Sequence, residues 1–79
     1  MRIRVQYFAL LREQAKCSQE DVETVAATPA ALFGELGRRH SFTLGQGQLK
    51  VAINGEFSSW DKALSPNDVV VFIPPVAGG

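Results

Sequence analysis

The run "VVVFI" at residues 69–73 sets the tightest limit on how this chain folds. It is continuously apolar and mostly β-branched, and its length suits a strand covered on much of both faces. At the other end of the chain, "RIRVQYF" alternates Ile3, Val5 and Tyr7 with Arg2, Arg4 and Gln6, the period of two of a half-buried strand. With 79 residues there is room for one domain spanning 1–79, which by surface scaling buries only about 60 to 65% of its unfolded surface. The two strong strands belong to one core, and their placement side by side at the centre of one sheet is an inference by fold-level analogy.

The intervening segments supply the rest of that sheet and its cover. Helix formers from Ala9 to Lys16 predict about two turns of helix. "EDVETVAA", with Val22 and Val25 among acidic residues, is compatible with a second strand returning beside the first. Thr28 before Pro29 is a cap followed by an N1 proline, and Leu32, Phe33 and Leu36 recur behind it, which predicts the main helix over Pro29 to Arg39. Gly34 and Gly37 weaken that helix by about 1 kcal/mol each relative to Ala, so packing on a sheet must hold it. "SFTLGQGQ" reads as a loop. "LKVAINGEFSSW" reads as two strands joined at Asn54-Gly55, and "SPND" turns the chain into the last strand. The result is an α+β layer arrangement, a mixed sheet on one principal helix, for which the ubiquitin-like β-grasp is the fold-level analogy.

Composition narrows the function. Eight basic and eight acidic residues give zero formal charge and no field drawing the chain to nucleic acid or an anionic membrane. Cys17 is the single cysteine, which excludes an internal disulfide, a thiolate zinc site and a four-cysteine cluster and points to a reducing compartment. No apolar run approaches the ~20 residues of a membrane span, and the opening alternates where a signal peptide would be apolar, so the expected location is cytoplasmic. A side-chain active site is hard to build. His40 has no second histidine to work with, Cys17 has no evident base, and "LGQGQ" lacks the lysine and helix of a phosphate loop.

The tail, residues 74–79, is the unusual part. Pro74 and Pro75 fix φ and remove two donors, which ends sheet pairing and favours a stiff, extended exit. Extended, the tail reaches about 20 Å. Gly78 and Gly79 leave its tip without a Cβ, thin enough for a narrow channel, so that the terminal carboxylate itself is the candidate reactive group. Adenylation by ATP would turn it into an acyl donor, and sulfide replacing AMP would leave a thiocarboxylate.

"VQYFALLRE", "VAINGEF", "WDKALSPNDVVVFIPPVAGG" and the total length resemble the small, sulfur-carrier subunit of molybdopterin synthase, a ubiquitin-like β-grasp family, over essentially the whole chain. The resemblance implies a cycle in which a ubiquitin-activating-like adenylyltransferase activates Gly79 with ATP and a sulfur donor system makes the thiocarboxylate. Pro74, Pro75, Val76, Ala77 and Gly78 then carry it into the large catalytic subunit, which passes sulfur to a cyclic pyranopterin. It implies a sulfurtransferase acting only as part of a heterotetramer. It also implies that no cofactor is held permanently, that ATP is used by the partner, and that molybdenum is bound by the product.

Strand phase places Phe8 on the less buried side of the first strand. Phe8, Phe57 and Ile73 match the family's apolar partner-binding patch, the alternative being a minor core under the short helix. Arg12 and Glu13 match a family pair after the first strand, which an interface or a solvated helix face would equally explain. Trp60 is read as a packing residue and Asp61 as a turn cap. Three other functional readings stay open: another carrier, such as that for the thiazole of thiamine, a protein modifier joined through Gly79 to lysine, and an interaction module with an idle tail.

Overall fold

Alternating side chains in β1 (Arg2–Tyr7) send Ile3, Val5 and Tyr7 into the core, where each is almost wholly buried. The computed structural model, which describes residues 1–75, continues with α1 (Ala9–Ala15), β2 (Gln19–Glu23), α2 (Pro29–His40), β3 (Lys50–Ile53), β4 (Glu56–Ser58) and β5 (Val69–Ile73). The five strands form one sheet in the order β2-β1-β5-β3-β4. β5 pairs parallel to β1, with Tyr7 opposite Phe72, and antiparallel to β3, with Val51 opposite Phe72. The terminal strands thus meet at the sheet centre, as in the β-grasp fold.

Val70 and Phe72 of β5 join Val51, Ile53, Leu32, Phe33 and Leu36 in a core between sheet and α2. On the opposite face Val69, Val71 and Ile73 are only half-buried. Full cover therefore exists on one face of β5 and partial cover on the other, less than the sequence predicts. The difference arises because both helices and the longest loop leave that second face to its own strand neighbours.

Local chemistry sets the element ends. The Thr28 hydroxyl accepts the Ala31 N–H at 3.2 Å and caps α2. The helix runs one residue beyond Arg39 and closes on Ser41 at φ 58, while Phe42 N–H donates to Gly37 O at 3.2 Å. β2 stops at Glu23, short of the expected Val25. Thr24 Oγ1 accepts the Ala26 N–H at 2.9 Å and donates to Glu35 at 2.7 Å, which turns the chain and leaves Val25 98% exposed. The loop after α2 contains one 3₁₀ turn, Gln46–Gln48.

Asn54 and Gly55 at φ 53 and 86 form the left-handed pair that a two-residue hairpin requires. Asn54 also fastens the hairpin to the start of β5. Its N–H donates to Val69 O at 2.8 Å, and its side-chain oxygen accepts the Val69 N–H at 2.9 Å.

One polar cluster ties β1, the edge strand β2 and the end of α2 together. The Tyr7 hydroxyl donates to Glu20 Oε2 at 2.5 Å, His40 Nε2 lies 2.6 Å from the same oxygen, and Arg39 Nη1 lies 3.8 Å from Oε1. Burial and the Glu20 carboxylate push the Tyr7 hydroxyl up. Burial alone would raise Glu20, but hydrogen bonds from Tyr7 and His40 and the nearby cationic groups outweigh it and hold the carboxyl below its usual range.

A carboxyl depressed in this way contributes stability that is complete above the unfolded carboxylate pKa and is lost as pH falls through the lower folded value. Glu20→Gln is expected to lower stability at neutral pH by about 1 to 3 kcal/mol and to flatten the loss in the acid range, measured by urea unfolding from pH 7 downward. Gly37 invites the opposite change. A Cβ built there meets nothing within 4 Å, so Gly37→Ala should add about 0.5 to 1 kcal/mol and raise Tm by a few degrees in a thermal melt.

Candidate functional site

The sheet face turned away from α2 divides into two halves of different chemistry. On the β1–β2 half, Arg4 and Asp21 stand opposite each other with Nε–Oδ1 at 2.9 Å, and Arg2 pairs with Glu23 at 3.6 Å. The hydrogen bond from Arg4 holds the Asp21 carboxyl below its usual range. Arg2, Arg4 and Asp21 line a shallow groove with Asn67 and Val69, and its charges are already matched within the chain.

The other half is apolar and open. Phe57, Ile73, Leu49, Lys50, Pro74 and Pro75 line a cleft of about 380 Å³ together with Gly47 and Gln48. Phe57 is 74% exposed on the edge strand β4, far more than a packing role would leave it. Register explains the grouping: Ala52 faces Phe57 across the hairpin, and Lys50 faces Ile73 across the β3–β5 pair, so all four project to the same side. The Lys50 ammonium lies over the Phe57 ring, 5.8 Å from its centroid.

The expected patch of Phe8, Phe57 and Ile73 is only partly drawn into one cavity. Phe57 and Ile73 share the cleft, whereas Phe8 does not line it. Phe8 follows Tyr7, which pairs with Phe72, so continuing the register sets it abreast of Ile73 on the same face, 48% exposed. It is no minor core under α1, whose buried residue is Leu11.

The tail starts from this cleft. β5 ends at Ile73, and Pro74, half-buried, and Pro75, exposed, lead away without an N–H to extend the sheet. Val76, Ala77, Gly78 and Gly79 lie outside the described residues.

The remaining candidates fall into structural roles. Cys17 is half-buried, and burial together with the Glu20 charge pushes its thiol up, the reverse of what a nucleophile needs. His40 is engaged by Glu20. Among the described residues no group of three or more His, Cys, Asp and Glu could hold a metal ion. No helix of the described residues is long and apolar enough to cross a membrane. Trp60 stacks on Phe72 with ring centroids 5.8 Å apart and meets Phe33 edge-on at 5.9 Å, so it packs as expected. Arg12 and Glu13 are exposed on α1.

Sequence reasoning passed over Lys50. The signal was present in the two-residue hairpin loop: pairing Ile53 with Glu56 forces Ala52 opposite Phe57, and alternation then puts Lys50 on the Phe57 side.

Comparison with known proteins supplies the kinship. The molybdopterin synthase sulfur carrier subunit of Escherichia coli strain K12 is 34% identical over 98% of this chain and 99% of its own. The solved structure described as subunit 1 of a molybdopterin converting factor from Pyrococcus furiosus superposes with a TM-score of 0.80 at 32% identity, covering 96% of this chain and 99% of that one. SAMP1 from Haloferax volcanii superposes with a TM-score of 0.82 at 26% identity over 100% of both chains. The ThiS family model matches residues 5–79, which takes in every strand from the middle of β1 onward together with the tail, and the chain belongs to that family.

Proposed function

We propose that this chain is the sulfur carrier of molybdopterin synthase, working through the carboxylate of Gly79. The observation that carries this reading is the position of the tail: a strand locked on both sides at the sheet centre runs through two prolines directly into the "VAGG" end, beside an open apolar cleft. The names of the full-length relatives support it, as does the lack of an activated side-chain nucleophile among the described residues.

In this reading the chain binds no permanent cofactor. A ubiquitin-activating-like adenylyltransferase uses ATP to convert the Gly79 carboxylate into an acyl-adenylate, releasing pyrophosphate. Sulfide supplied by a donor system attacks the acyl carbon, AMP leaves, and a thiocarboxylate remains. The cleft with Phe57 and Ile73, continued by Phe8, docks the large synthase subunit in the cytoplasm, while Pro74, Pro75, Val76 and Ala77 feed the end into its active site. Gly78 and Gly79 let the reactive atom approach a pterin in a narrow channel. Sulfur then passes to the cyclic pyranopterin precursor, so the sulfurtransferase activity belongs to the heterotetrameric assembly and the chain supplies its donor.

The direct test is intact mass after incubation with the adenylyltransferase, ATP and a sulfur source. A gain of about 16 Da, oxygen replaced by sulfur, is expected, and an alanine added after Gly79 should abolish both the gain and sulfur transfer while the fold persists. Higher-mass conjugates would instead indicate a protein modifier. Starting from pre-formed thiocarboxylate, Gly78→Ala should slow single-turnover transfer by about a hundredfold, the cost of displacing the reacting atom by about 1 Å, with little change in stability. Cys17→Ser should transfer at the normal rate. A fast Gly78→Ala beside a dead Cys17→Ser would move the sulfur-bearing role to Cys17.

A further inference from the structure

We propose that Lys50 sets partner specificity at the cleft, by meeting a carboxylate on the docking protein while fixing the ring of Phe57 for contact. This rests on the reading above that the cleft binds the large synthase subunit. Among the described residues Lys50 is the only ionisable side chain lining the cleft, whose other side chains are those of Gln48, Leu49, Phe57, Ile73, Pro74 and Pro75. The arginines on the same sheet face are matched within the chain, Arg2 by Glu23 and Arg4 by Asp21. Lys50 differs, because it takes part in no ion pair among the described residues and its ammonium lies over an aromatic face.

That placement has two physical effects. The cation–π contact restrains a ring that is otherwise exposed on an edge strand, which reduces the ordering it must undergo on binding. Docking would also strip water from the ammonium at the edge of an apolar contact, which is unfavourable unless the partner supplies an anion there. The complementary surface is accordingly an apolar side chain entering between Phe57 and Ile73, with an Asp or Glu at its rim. A neutral or basic rim is rejected.

The test is calorimetric binding of the full chain to the large subunit from the same organism at two ionic strengths. Lys50→Met keeps the aliphatic stem and is expected to weaken binding about tenfold and to flatten its salt dependence. Lys50→Glu should weaken it further, and raising salt should then improve binding. Unchanged affinity and salt slope in Lys50→Met would overturn the proposal. Phe57→Asp separates the two levels of inference: if it leaves binding intact, the cleft is not the docking face, whereas loss with Phe57→Asp beside normal Lys50→Met refutes only the role of Lys50. Carbon-13 NMR of labelled Gly79 in the isolated chain supplies a further check. A carboxyl titration that shifts in Lys50→Met would assign Lys50 to the chain's own terminus and also overturn the proposal.

Discussion

Everything else in the molecule depends on the parallel pairing of β1 with β5. Parallel pairs need a covered face and a crossover, and here the crossover comprises everything from α1 to the "SPND" turn. The pairing sets Val5 beside Val70 and Tyr7 beside Phe72, which brings the buried face of β1 and the continuous apolar run of β5 into one layer under α2. It also directs the end of β5 out of the same end of the sheet that presents Phe8. The core and the site therefore have a common origin.

Because one face of that pairing is used by α2, the other is left to strand side chains alone. The β1–β2 half satisfies itself with directly opposed arginine and carboxylate pairs, each exposed and individually worth little. The β3–β4–β5 half has nothing comparable, and it stays open beside the tail. A small domain with so little surface to spare leaves a cleft of this kind uncovered where another molecule covers it.

The fold was legible where one physical signal dominated. Alternation in β1, the cap of Thr28 with Pro29, the Asn54-Gly55 turn and the continuous run of β5 each specify an element locally, and together they leave few ways to order the sheet. What the sequence concealed came from contacts between distant residues. Val25 looks like a strand position, but the Thr24 hydroxyl bonded to Glu35 of α2 turns the chain away before reaching it. His40, equally, reads as a helix-end residue until Glu20 and Tyr7 arrive from two strands. The candidate site was visible as the glycine end and as exposed aromatic parity. Its division into a cleft with Phe57 and Ile73, a flanking Phe8 and an intervening Lys50 depended on strand register, which no single segment contains.

The strand at the middle of the sheet is also the last strand of the described residues, and this couples synthesis to use. While residues 1–68 leave the ribosome, β1 and β3 have no partner between them, because β5 fills that slot only when Val69–Ile73 emerges. Long-range pairing of this kind cannot be completed early. A chain lacking that segment leaves β1 and β3 without their shared neighbour and exposes surface of the kind that chaperones and proteases act on. The central pairing of β1 with β5, and the core that lies under it, are thus completed only once Val69–Ile73 has been made.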